Sequence, residues 1–169
     1  MDNQTIVNFI IKRTQNFLID EANLNLKFTD IAFNQTNKLE LKHITAIQGI
    51  NSTIGLFVAL SFDDKIIEKI CETMTEGLDI SEEEKSMYLD ETAGEILNII
   101  VGNATSDFQT KGHAIMISPP IIIKDAKSLI RHKNAYFYTA NLQTDIGDIN
   151  LYVIGPSDLF DQTLDYKEV

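Results

Sequence analysis

The stretch Asp90-Glu-Thr-Ala-Gly-Glu-Ile-Leu-Asn-Ile-Ile-Val-Gly-Asn-Ala-Thr-Ser-Asp-Phe108 constrains the fold more than any other, because it is the middle of a long run with helical periodicity. An α-helix turns by about 100° per residue, so its faces can be read from spacing. Leu89, Ala93, Ile96, Leu97, Ile100, Ala104 and Phe108 fall at steps of three and four and form one apolar stripe. Glu91, Glu95, Asn98 and Gly102 recur in the same rhythm on the opposite side. An ordinary solvated face would favour Lys, Glu and Gln. Asn instead competes for backbone groups in a helix interior, and Gly102 costs about 1 kcal/mol relative to Ala. A carboxylate and an amide three residues apart project together. Geometry admits two readings: a solvated face with an incidental Asn, or a rigid Glu95/Asn98 pair presented to a partner, with Gly102 leaving room for close approach. Spacing alone does not choose between them.

The rest of the chain supplies a sheet for this helix. Ile6, Phe9, Ile10, Arg13, Phe17 and Leu18 predict an amphipathic helix over residues 3–19, with Asp2 or Asn3 available as its cap. Residues 24–34 read as a loop or short strand. Residues 39–47 alternate as a half-buried strand, residues 49–52 read as a turn, and residues 53–62 as a buried strand, together a hairpin. Asp63 or Asp64 then caps a helix through Ile66, Ile67, Ile70 and Met74 that ends near Gly77. Ser81 with the acids up to Glu84 opens the long helix. Beyond Gly112, residues 113–118 read as a strand stopped by Pro119-Pro120, residues 121–123 as extended and residues 124–133 as a loop. Residues 135–142 and 149–154 are strands joined through Gly147. Residues 157–166, with Asp158 and Phe160, suit a short terminal helix. Hairpin-joined strands with helices gathered to one side give the fold class: α+β, an antiparallel sheet with long helices packed on one face.

At 169 residues the chain suits one domain. A formal charge of −11 disfavours attraction to nucleic acid or to anionic membranes, which leaves a protein or small-molecule partner. No apolar run approaches the roughly 18 residues of a membrane helix. Met1-Asp2-Asn3-Gln4 lacks the basic region of a signal peptide, so a cytoplasmic location is expected. The single cysteine, Cys71, allows no internal disulfide and reads as a small buried hydrophobe. His43, His113 and His132 lack paired ligand spacing, and no metal site of the protein's own is expected. Ser118 has no evident base and reads as a strand-end serine rather than a nucleophile. Chemistry on such a chain must rest on few residues or borrow parts from its substrate.

The ordered set Glu95-Ile-Leu-Asn98, Gly102-Asn103 and Ser118-Pro119-Pro120, with Ile47-Gln-Gly49 and Gly55 upstream and Gly147 downstream, resembles the CheX group of the CheC/CheX chemotaxis phosphatases over residues 40–155. Only one Glu-x-x-Asn helix is visible, which fits CheX rather than the two-motif CheC group. Glu91 stands where the family often carries Asp or Ser, and the hairpin from Gly49 to Gly55 is looser than the family pattern. The resemblance implies a single phosphatase domain over residues 1–169. Its substrate would be a phosphorylated response regulator of the CheY type in chemotaxis signalling. By that analogy Glu95 pairs with the regulator's active-site lysine, and Asn98 holds a water in line with the aspartyl phosphate. The regulator supplies Mg²⁺, and no cofactor of the protein's own is implied. Glu91, Gly102 and the outward-facing Ile99 are expected at the partner interface, with Ile99 equally able to pack under a loop. A homodimer through the sheets is expected by resemblance. Phosphoryl transfer needs mainly positioning and charge stabilisation, so a lone amide that places water is chemically sufficient. The alternative is a non-catalytic module of the same fold that binds a receiver domain or a flagellar-switch component.

Overall fold

The computed structural model describes residues 6–33, 35–51, 55–108 and 115–156. Among these residues three helices are seen: α1 (Ile6–Asn16), continued by a π-helical turn at Phe17–Glu21, α2 (Asp64–Met74) and α3 (Glu82–Phe108). Nine strands accompany them: β1 (Leu26–Phe33), β2 (Lys38–Glu40), β3 (Ile44–Asn51), β4 (Gly55–Phe62), β5 (Met116–Ile117), β6 (Ile121–Lys124), β7 (Ser128–Ile130), β8 (Tyr136–Thr144) and β9 (Asp148–Gly155). Seven of them form one sheet in the order β1-β8-β9-β4-β3-β5, with β6 also paired to β3. Every pairing is antiparallel.

Alternation explains which face the helices cover. Ile44, Ala46 and Ile50 of β3, Val58, Leu60 and Phe62 of β4, and Ile149, Leu151 and Val153 of β9 point to one side. There they bury against Ile10 of α1, Ile66 and Ile70 of α2, and Ile96, Leu97 and Ile100 of α3. A 27-residue helix is about 40 Å long, enough to cross the sheet. At the start of α3 Ser81 Oγ donates to Glu84 Oε2 at 2.7 Å, and the Ser81 N–H donates to the same oxygen at 3.3 Å. Near its end, Asp107 accepts two hydrogen bonds from Arg13, at 2.6 and 2.7 Å, which ties α1 to α3.

The antiparallel sheet with helices on one face is as the sequence predicts, but several local readings change. Residues 24–34 contain a full eight-residue edge strand, β1. Residues 39–47 are not one strand: the chain breaks between β2 and β3, where the Lys42 N–H turns to Ser61 Oγ at 2.7 Å. The basic segment 124–133 carries β7, which pairs with β2 in a separate two-stranded sheet. That small sheet lies on the helix-free face, where Leu39 joins Ala59, Phe137 and Tyr152 in a second core. Tyr152 Oη donates to Glu40 O at 2.5 Å, and burial pushes its phenol up to about 12. Finally, Gly49, Ile50 and Asn51 continue β3 rather than turning, with Asn51 opposite Gly55.

Asp63 precedes α2 but its side chain does not cap it. The carboxylate accepts from Lys42 Nζ at 2.6 Å and from the Asp148 N–H at 2.7 Å. Gly147 passes so close that a Cβ there would lie 2.9 Å from Asp63 Oδ2, at a φ of +154°. Only glycine fits that turn without displacement. Cys71 is buried in α2, as its apolar surroundings predict. The readings of Asp2, Asn3, Gly112, His113 and residues 157–166 lie outside the described residues.

Candidate active site

The outward face of α3 carries Glu91, Glu95 and Asn98, all exposed, and a half-buried Gly102 above which a Cβ would meet nothing within 4 Å. On the inward side Ala93, Ile96, Leu97 and Ile100 are buried. From Ala93 to Ala104 the apolar stripe falls where the spacing puts it, with Leu89 half-buried at its start, while the side chain of Phe108 lies outside the described residues. Ile99 is half-buried and packs against the main core. Glu91 and Glu95 line a shallow groove with Asp90, Gly94, Pro120 and Ile122, while Ile99 and Gly102 do not line it. Among the described residues Glu95 forms no ion pair.

Asn98 is held from below. Gln48 of β3 lies on the helix side of the sheet, in phase with Ala46 and Ile50, and is only 1% exposed. Its Nε2 donates to Asn98 Oδ1 at 2.8 Å and to Ser118 O at 2.8 Å. Ser118 is stapled to β3 in turn. Its N–H donates to Gly49 O at 2.9 Å, and its hydroxyl accepts from the Gly49 N–H at 2.9 Å. The same hydroxyl donates to Pro119 O at 3.1 Å. The following prolines bring the chain under α3, where a Cβ on Gly94 would touch Pro120 Cγ at 3.4 Å. At the far end of the groove Lys124 Nζ joins Asp90 Oδ2 at 2.9 Å and Ser86 Oγ at 2.8 Å, tying β6 to α3.

Sequence reasoning picked out Glu95, Asn98 and the Ser-Pro-Pro run and included Gln48 in Ile47-Gln-Gly49 without a role, but missed Gly94, the Asp90–Lys124 pair and the support that Gln48 gives to Asn98. Two of these had signals. Gln48 interrupts an apolar alternation at positions 44, 46 and 50, which marks a buried polar group. Gly94 is as costly inside a helix as Gly102. The Asp90–Lys124 pair needs the three-dimensional approach of β6 and had no local signal. Among the described residues no three His, Cys, Asp or Glu side chains gather in a way that could hold a metal ion. His43 Nδ1 lies 2.7 Å from Asp125 Oδ1 on the surface.

A family profile described as chemotaxis phosphatase CheX matches residues 44–142, more than half of the sequence, and the chain belongs to this family. The fold is similar to that of the chemotaxis protein CheX from Desulfovibrio desulfuricans, with a TM-score of 0.73 and 17% identity over 88% of this chain and 97% of that one. CheX from Vibrio vulnificus gives 0.67 and 18%, over 89% and 95%. The CheX-CheY-BeF3-Mg complex from Borrelia burgdorferi gives 0.63 and 17%, over 89% and 97%. No curated protein matches the sequence. Among the described residues no helix is long and apolar enough to cross a membrane.

Proposed function

We propose that this protein, as one domain over residues 1–169, hydrolyses the aspartyl phosphate of a CheY-type response regulator in the cytoplasm. The observation that carries this reading is the Glu95/Asn98 pair, one turn apart on the exposed face of α3, with the Asn98 amide fixed by the buried Gln48. Membership of a family described as chemotaxis phosphatase supports it, and so does a similar fold in a complex that contains CheY.

In this reading the Glu95 carboxylate meets the regulator's active-site lysine and sets the angle of α3. Asn98 enters the site and holds a water in line with phosphorus. The water oxygen forms the new bond to phosphorus, the bond to the aspartyl oxygen breaks, and the aspartate leaves as carboxylate with inorganic phosphate released. The acyl phosphate has a good leaving group, so orientation carries most of the gain. The regulator brings the Mg²⁺ that stabilises the phosphoryl oxygens. Glu91, beside Glu95 in the groove, and Gly102, with open space above it, border the docked partner. Ile99 extends this border with the part of its side chain that the core leaves uncovered.

The helix-free face leaves Phe57 55%, Met116 64% and Ile121 65% exposed, an apolar surface that suits pairing of two copies as a homodimer. Glu91 favours a second reading, since another acid one turn from Glu95 competes for the same lysine. The protein would then dock a receiver domain or switch component without hydrolysis. Phosphate release from a phosphorylated CheY-type regulator with Mg²⁺ separates the two. Acceleration supports the phosphatase, and binding without acceleration supports the docking module.

A further inference from the structure

We infer that Gln48 is a positioning residue that fixes which end of the Asn98 amide faces the partner: oxygen inward, NH₂ outward. Ser118 O is a backbone carbonyl and can only accept. Gln48 must therefore turn its nitrogen toward Ser118, because the opposite orientation would set two oxygens against each other. That same nitrogen lies 2.8 Å from the Asn98 amide, which must then present its oxygen. One unambiguous acceptor on the Ser-Pro-Pro segment thus determines two side-chain amides in succession.

The chain of bonds is rigid at its base. Ser118 is bonded to Gly49 through its N–H and its hydroxyl, and Gln48 is the residue before Gly49 on the same strand. Gln48 is buried almost completely, so its rotamer is held by packing. Its Oε1 is buried and meets no donor among the described residues. Both contacts of the nitrogen are thereby directed at acceptors, one on the Ser-Pro-Pro segment and one on α3.

The consequence for chemistry deepens the proposed dephosphorylation, on which it rests. An outward NH₂ donates to one lone pair of the attacking water and leaves the other lone pair directed at phosphorus. A freely rotating amide would spend part of its time offering oxygen instead, and would lose the alignment. Gln48 touches neither water nor phosphate in this scheme and acts only through Asn98.

The test uses the full chain, with Gln48→Met (similar length, no donor) and Gln48→Glu (similar shape, no NH₂) checked for folding by circular dichroism. On phosphorylated CheY-type regulator, either variant is expected to lower kcat about tenfold or more while the affinity for the regulator changes less than about twofold. An unchanged kcat in a folded variant, with active wild type, overturns the inference. Inactive wild type would instead refute the phosphatase reading, and amide hydrogen exchange in the free protein then decides. Protected Gln48 NH₂ protons beside fast-exchanging Asn98 NH₂ protons support the assignment, and the reverse pattern overturns it. The exchange measurement also stands if neither variant folds.

Discussion

A Cβ built on Gly94 would rest 3.4 Å from Pro120 Cγ and 3.6 Å from Ile122 Cδ1. Glycine at this position lets α3 lie close over the Ser-Pro-Pro segment, whose Ser118 carbonyl accepts from Gln48. A methyl group at that distance makes an ordinary contact. Gly94→Ala is therefore expected to keep the fold and to gain up to about 1 kcal/mol from helix propensity. Gly94→Leu overfills the space and is expected to cost about 1–3 kcal/mol while lifting α3 from the sheet. Urea denaturation of both variants checks this, and equal stabilities would contradict it.

The legibility of this site follows from the range of the forces that build it. The stripes on α3 depend on one helical period, and the contact of Ser81 with Glu84 at its start is local, so both could be read directly. The division of residues 39–47 between two sheets could not. It depends on Ser61 and Lys127, distant in sequence, capturing the N–H groups of Lys42 and Leu41. Residues 128–130 form a strand only because β2 lies beside them. Glu95 and Asn98 were visible as odd choices for a helix face, whereas the support of Asn98 by Gln48 joins residues fifty positions apart.

Asp63 predicts an acid-limb signature. Burial pushes its carboxyl up, but the hydrogen bonds from Lys42 and the Asp148 N–H outweigh this and hold it below the ordinary aspartate value. The folded state therefore binds the proton less tightly than the unfolded chain does. The contribution is complete above the unfolded value of about 3.9 and is lost as pH falls through the folded one. The stability gap between wild type and Asp63→Asn is expected to be constant above about pH 5 and to close below about pH 4. Urea midpoints measured down this range check it; a gap that stays constant would contradict the account.

The helix-free face predicts an assembly. Phe57 stands beside Gly49 and Ile154 in the register of β3, β4 and β9, so a charge there interrupts the exposed apolar surface without entering the main core. Phe57→Asp is expected to convert a sedimenting dimer to monomer with the secondary structure unchanged. A wild type that sediments as a monomer would remove this part of the proposal.

Hydrolysis in the proposed function turns on Asn98, and phosphate release from a phosphorylated CheY-type regulator under single turnover, with Asn98→Ala beside wild type, probes it. Asn98 is exposed and Gln48 is its only described side-chain partner, so truncation leaves the core of α3 intact. Wild type is expected to accelerate release, Asn98→Ala to reduce the acceleration about a hundredfold or more, and binding to the regulator to persist. Unchanged release by Asn98→Ala would contradict this role of Asn98.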